Sequence, residues 1–163
     1  MANEFERILE QNDRFVEAFD RSALTAAPLR GLAILTCMDA RIDVEDALGL
    51  RVGDAHIIRN AGGLASPDAI RSLVVSQQLL GTREIVLIAH TKCGLHGAEE
   101  AHLRARVAES TGAATSTVFG VFADLEALVR EQLAILHAEP SLLRTPIHGL
   151  IYEVETGRLL PVE

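Results

Sequence analysis

Apolar positions along this chain fall into two kinds of run. Residues 3–19 repeat them at helical spacing: Phe5, Ile8, Leu9, Phe15, Val16 and Phe19, with Asn12 on the same stripe, face one way. Four later runs are short and continuously apolar: Gly31–Cys37, Ala55–Arg59, Glu84–His90 and Ile147–Val154. Such runs, bounded by turn-prone residues, predict strands buried on both faces. Between them lie helical stretches at 43–48, 66–80, 96–110 and 119–138. The second of these has the clearest start, with Ser66 as cap, Pro67 in the first turn and Asp68 at the positive end of the dipole. Glu155-Thr-Gly157 predicts a hairpin turn, and Arg158–Val162 a last short strand.

Strands alternating with helices imply crossover connections. The predicted class is α/β, with a four-stranded mostly parallel sheet, flanking helices and an antiparallel C-terminal edge strand. Residues 1–163 read as a single domain, since a chain of this length suits one core and shows no repeat or linker. Residues 1–20 read as an N-terminal arm helix whose stripe must dock on its own domain or on a partner chain. Its polar face carries Glu4, Glu6, Glu10 and Asp13 against Arg7 and Arg14, which disfavours an anionic membrane surface.

Charge and composition narrow the field. The formal charge is −8, so no surface here could neutralise a run of phosphates, and a nucleic-acid partner is disfavoured. No apolar run approaches the roughly 18–20 residues of a membrane helix. The charged N-terminus does not read as a secretory signal, and a cytoplasmic protein is the expectation. Two cysteines are too few for a disulfide scaffold. Fourteen of the 15 basic side chains are Arg, and the single lysine is Lys92.

That lysine sits in one of two motifs at strand ends, Cys37-Met-Asp-Ala-Arg41 and His90-Thr-Lys-Cys-Gly94. Two thiolates and one imidazole, from Cys37, His90 and Cys93, form a good zinc ligand set, and three protein donors leave a fourth position open. Asp39 falls near such a metal, where it could accept a hydrogen bond from a bound water, and Arg41 could hold its carboxylate by a bidentate salt bridge. Zinc would lower that water's pKa from about 15.7 to about 7. A redox dithiol is the weaker reading, because no C-x-x-C is present. Arg59-Asn-Ala-Gly-Gly63 matches neither common phosphate-loop spacing. His56, His96, His102, His137 and His148 read as structural or exposed.

C-M-D-A-R, R-N-A-G-G and H-T-K-C-G in this order resemble the β-class carbonic anhydrases. The spacing fits, Cys37 to His90 being 90 − 37 = 53 residues, and the likeness extends from residue 31 to the I-x-G-x-I-Y-x-V-x-T-G stretch at 147–157. The resemblance implies zinc-dependent reversible hydration of carbon dioxide to bicarbonate and a proton. It matches Cys37, His90 and Cys93 to the zinc ligands and Asp39 and Arg41 to the dyad beside the metal, with Asp39 a possible fourth ligand in a closed state. Ala61 and Gly62 are small enough to leave room for a triatomic substrate. The family works as homodimers or dimers of dimers, with the N-terminal helix lying across the partner subunit.

The chain is similar to the compact branch, which also contains hydrolases of carbonyl sulfide and carbon disulfide. That activity is the alternative, and a non-catalytic zinc-binding relative is the second. Compact members commonly read H-T-D-C-G, so Lys92 stands where an acid is usual. It either adds positive charge beside the metal or is a solvated surface lysine.

Overall fold

The computed structural model describes residues 3–163. Met1 and Ala2 of the predicted arm lie outside the described residues. Helix α1 spans Glu4–Glu17 and starts in a capping box. Asn3 Oδ1 accepts from the Glu6 N–H at 2.9 Å, and Glu6 Oε2 accepts from the Asn3 N–H at 3.0 Å. The stripe forms as the spacing predicts, but it does not dock on its own chain. Phe5, Ile8 and Val16 are 68%, 58% and 62% exposed, and no α1 residue is buried.

The core elements follow as β1 (Leu32–Cys37), α2 (Val44–Leu48), β2 (Ala55–Asn60), α3 (Pro67–Gln78), β3 (Glu84–His90), α4 (Glu100–Thr111), α5 (Leu125–Ala138), β4 (Ile147–Tyr152) and β5 (Leu159–Val162). A single 3-10 turn, Ala61–Gly63, follows β2. The sheet order is β2-β1-β3-β4-β5, with the first four strands parallel and β5 antiparallel to β4. This is the predicted α/β architecture. No described helix is long and apolar enough to cross a membrane.

Continuous apolar strands arise because both sheet faces are covered. Ala33, Leu35, Ile85 and Leu87 face a core shared with Leu73 of α3 and Val129 and Leu136 of α5. Ile34 and Ile88 face the other way, onto Ile42, Val44 and Leu50, together with Cys37 and Cys93. The second core therefore ends in the two cysteines.

Two helices start later than the periodicity predicts. Residues 96–99 are not helical, His96 forming a bridge with Phe122, and α4 begins at Glu100. Residues 119–124 are not helical. Gly120 takes φ +76, and Asp124 caps α5 by accepting from the Ala127 N–H at 2.8 Å. The segment pairs instead with the loop after β3, the Gly97 N–H donating to Phe122 O at 2.8 Å.

Helix α5 lies so close to β4 that a Cβ on Gly149 would stand 2.6 Å from Val129 Cγ1 and 2.7 Å from Leu133 Cδ1. Gly149→Ala is expected to cost about 1–3 kcal/mol by overpacking. Urea denaturation reads this as a lowered midpoint. Metal affinity should not change, because Val129 and Leu133 belong to one core cluster and the cysteines to the other, and a coupled loss of both would contradict that separation.

Candidate metal centre

Cys37 ends β1 and His90 ends β3, two neighbours at the middle of the sheet. Parallel strands deliver their ends on one side, so both side chains reach the same edge. A tight turn then returns the chain to Cys93. Within it Lys92 takes φ +55, a left-handed conformation rare for a residue with a side chain. The two sulfurs and one imidazole nitrogen of Cys37, His90 and Cys93 lie within 4.8 Å of one another, and all three residues are buried. Among the described residues this is the cluster of His, Cys and acidic donors with metal-binding proximity.

The imidazole has its tautomer fixed. His90 Nδ1 lies 2.8 Å from Thr91 O, and a carbonyl only accepts, so Nδ1 carries the hydrogen. Nε2 is left with its lone pair, buried and without a hydrogen-bond partner. An orphaned acceptor at the heart of a core is costly, about 1–3 kcal/mol, unless something binds it. With two sulfurs beside it, the donor set fits a zinc ion.

The electrostatics suit the same occupant. Burial pushes the Cys37 thiol up, but the facing His90 ring and the Gly62 and Asp39 backbone N–H groups outweigh it and bring the pKa down to about 7. Burial and the neighbouring Cys37 push the Cys93 thiol up. Binding a metal there would displace the protons of both thiols.

Asp39 does not point freely at the cluster. Its Oδ1 accepts from the Arg41 backbone N–H at 3.0 Å and from Arg41 Nε at 2.9 Å, and its Oδ2 accepts from Nη2 at 2.7 Å. These bonds hold the carboxyl well below the usual carboxylate range. Oδ2 lies 3.8 Å from His90 Nε2. Arg41 Nη2 also donates to Lys92 O at 3.0 Å, so one guanidinium joins the two motif loops. The Lys92 ammonium turns away and pairs with Glu155 at 2.5 Å, both side chains being more than half exposed. Of the two readings of this lysine, the geometry matches the surface one, and its backbone carbonyl is the part that reaches the dyad.

A cavity of about 360 Å³ opens onto the cluster, lined by Cys37, Met38, Asp39, Ala40, Ala61, Gly62, Cys93, Gly94 and Leu95. Ala61 and Gly62 are thus part of the wall of this cavity. Met38, Ala40 and Leu95 were not singled out in the sequence, and adjacency to the ligands was the signal available for them. Asn60 closes the glycine turn, with Oδ1 accepting from the Leu64 N–H at 2.8 Å and Nδ2 donating to Leu64 O at 2.7 Å. The remaining histidines stand apart from this cluster. His56 bonds Ser76 and Ala26 O, His96 bonds Ala123 O, and His148 pairs with Glu84.

Known proteins share this arrangement of chain. A family model described as carbonic anhydrase matches residues 32–159, from the first residue of β1 to the first of β5. Beta-carbonic anhydrase 1 of Mycobacterium tuberculosis is 37% identical over 152 residues, covering 93% of each chain. A carbon disulfide hydrolase of Acidithiobacillus thiooxidans is 37% identical over 155 residues, covering 81% of this chain and 77% of its own. The crystal structure of a carbonic anhydrase from Streptococcus mutans superposes with a TM-score of 0.94 at 39% identity, covering 100% of this chain and 99% of that one. With the fold, the cysteine–histidine cluster and matches of this extent in agreement, the chain belongs to the β-class carbonic anhydrase family, among whose members are carbon disulfide hydrolases.

Proposed function

We propose that the protein is a zinc-dependent carbonic anhydrase that interconverts carbon dioxide with bicarbonate and a proton. The observation that carries this reading is the unpartnered, buried Nε2 of His90, within 4.8 Å of two thiols whose residues line a largely apolar cavity. Cys37 Sγ, His90 Nε2 and Cys93 Sγ would hold the ion. Bound there, zinc supplies a water acidic enough to ionise near neutral pH, its pKa falling from about 15.7 to about 7.

The chain's own residues do the rest. Asp39, kept ionised by Arg41, would accept a hydrogen bond from that water and orient it. Ala61, Gly62 and Leu95 give a small, apolar lining that suits a linear, uncharged substrate. Arg41 is half exposed, and its guanidinium serves to hold the Asp39 carboxylate in place.

Hydrolysis of carbonyl sulfide or carbon disulfide is the second reading. It is favoured by the Acidithiobacillus relative and by a lining in which Met38 and Leu95 would tolerate sulfur as readily as oxygen. A non-catalytic zinc-binding role is opposed by the intact donors and dyad. Stopped-flow hydration and headspace analysis for hydrogen sulfide, run side by side on zinc-loaded and chelator-treated protein, decide among the three. The expected result is metal-dependent hydration with less sulfide release. No metal-dependent rate in either assay would sink the catalytic readings.

We further infer a homodimer or dimer of dimers, with residues 1–163 as one domain whose arm, residues 1–20, lies on a partner subunit. The exposed stripe of α1 supports this, as does a groove of about 260 Å³ on the α2 face of the sheet, between Leu32, Ile34, Leu48, Leu50, Val86 and Leu150. Each large apolar side chain covered is worth about 1.5–3 kcal/mol. Ile8→Asp with Val16→Asp should therefore weaken association by at least about a hundredfold, or ~2.7 kcal/mol. Sedimentation velocity checks it. An unchanged assembly in the double variant would show that the stripe is not the interface.

A further inference from the structure

The loop from Cys37 to Ile42 carries one metal donor and the dyad, yet few of its backbone groups bond within it. The Arg41 and Ile42 N–H groups bond back to Asp39, to Oδ1 and to the carbonyl respectively, and the Met38 N–H donates to Asn60 O at 2.9 Å. Three of its carbonyls instead converge on one side chain from the edge strand. Arg59 stands beside Thr36 in the β1–β2 register, one position before the Asn60–Cys37 pair. Its Nε donates to Cys37 O at 2.9 Å, its Nη2 to Asp39 O at 2.6 Å and its Nη1 to Ile42 O at 3.2 Å. No carboxylate lies within ion-pair distance of this guanidinium among the described residues.

We propose that Arg59 is a positioning residue for the reaction, a planar three-way clamp that fixes the backbone on both sides of Asp39. The peptide joining Cys37 to Met38 is held at both ends, its carbonyl by Arg59 and its N–H by Asn60. The peptide after Asp39 is held at its carbonyl by Arg59 and by the Ile42 N–H, which lies 3.1 Å away. With the planes before and after it fixed, Asp39 presents its carboxylate to Arg41 and to the His90 side of the cluster in one direction. Cys37, two residues earlier, keeps its sulfur beside His90 for the same reason.

A lysine could not substitute. Its ammonium is a point donor, whereas the guanidinium spreads rigid donors across carbonyls that are two and three residues apart. Arg59 makes none of its hydrogen bonds to a cysteine sulfur, to His90 or to the Asp39 carboxylate, and it is not among the cavity-lining residues, so it acts through the loop and not on the reacting atoms.

This role rests on the zinc reading above, and the test separates the two. Wild type, Arg59→Gln and Arg59→Lys are compared for zinc affinity by chelator competition, for kcat and KM per bound zinc, and for thermal midpoint. Outer partners of metal ligands typically contribute 10–100-fold to affinity or activity, and Arg59→Gln is expected to lose about that much of both. KM should move less than about twofold, because the apolar lining is untouched. Arg59→Lys should fall between the other two. Wild-type zinc affinity and kcat in Arg59→Gln overturn the proposal, as does a loss that only tracks a lowered thermal midpoint with kcat per bound zinc unchanged. Should Arg59→Gln fail to fold, Arg59→Lys decides alone, and wild-type values there overturn it. If wild type binds zinc but hydrates nothing, the functional reading fails, and the zinc affinities of the variants still decide the clamp.

Discussion

Replacing Cys93 by serine is expected to remove zinc and hydration activity together, with kcat/KM falling at least about a thousandfold, or ~4 kcal/mol of barrier. A serine hydroxyl does not ionise at neutral pH and is a poor zinc donor, so two strong donors remain where three are needed. The cost reaches further than one bond. His90 Nε2, already without a protein partner, would stay uncompensated in the core. Metal analysis and stopped-flow hydration on the same preparation check the outcome. A Cys93→Ser protein with stoichiometric zinc and full rate would overturn the assignment of ligands.

Gly63→Ala is expected to be nearly as damaging although Gly63 touches no substrate. Its φ is +67, and an added Cβ would stand 3.0 Å from both Cys37 N and Thr36 C and 3.2 Å from Ile88 O. These are backbone atoms, so no side chain can swing aside. The strain of a left-handed alanine is about 1 kcal/mol, and overpacking adds about 1–3 kcal/mol. The total, about 2–4 kcal/mol, is spent moving the strand end that carries Cys37. Urea unfolding should show the loss of stability and chelator competition a parallel loss of zinc affinity. Gly81→Ala is the control, since its φ is +79 and nothing lies within 4 Å of the added carbon. It should lose about 1 kcal/mol and leave zinc affinity alone. Equal zinc affinity in the two variants would remove the special status of Gly63.

Much of this was legible in the sequence, for identifiable reasons. Strands buried on both faces are written as unbroken apolar runs, and β1 and β3 read clearly because they are the centre of the sheet. The ligand set was legible because Cys and His are scarce and chemically distinct. The failures have a common cause. Periodicity reports which residues are apolar, not where a helix is capped, so Val121 and Phe122 were counted into α5 although Gly120 and Asp124 start it later. The arm helix was predicted, but the residues alone left open what its stripe covers, and the folded chain leaves the stripe exposed. Arg59 was quoted as part of a motif without a role, because its three carbonyl partners belong to backbone that carries no sequence signal. Lys92 raised the expectation of a charge beside the metal, and Glu155, some sixty residues on and unrelated by any local spacing, decides where that charge goes.

The neighbouring placement of β1 and β3 has a consequence for the order in which the protein assembles. Cys37 and Cys93 are 93 − 37 = 56 residues apart and meet only when the central strands pair. An unfolded chain offers a metal His90 and Cys93 alone, a weak two-donor fragment. Closing the intervening loop costs entropy that the sheet, not the ion, must first recover. Zinc should therefore enter late, as a latch on a sheet already formed, and slow unfolding far more than it speeds folding.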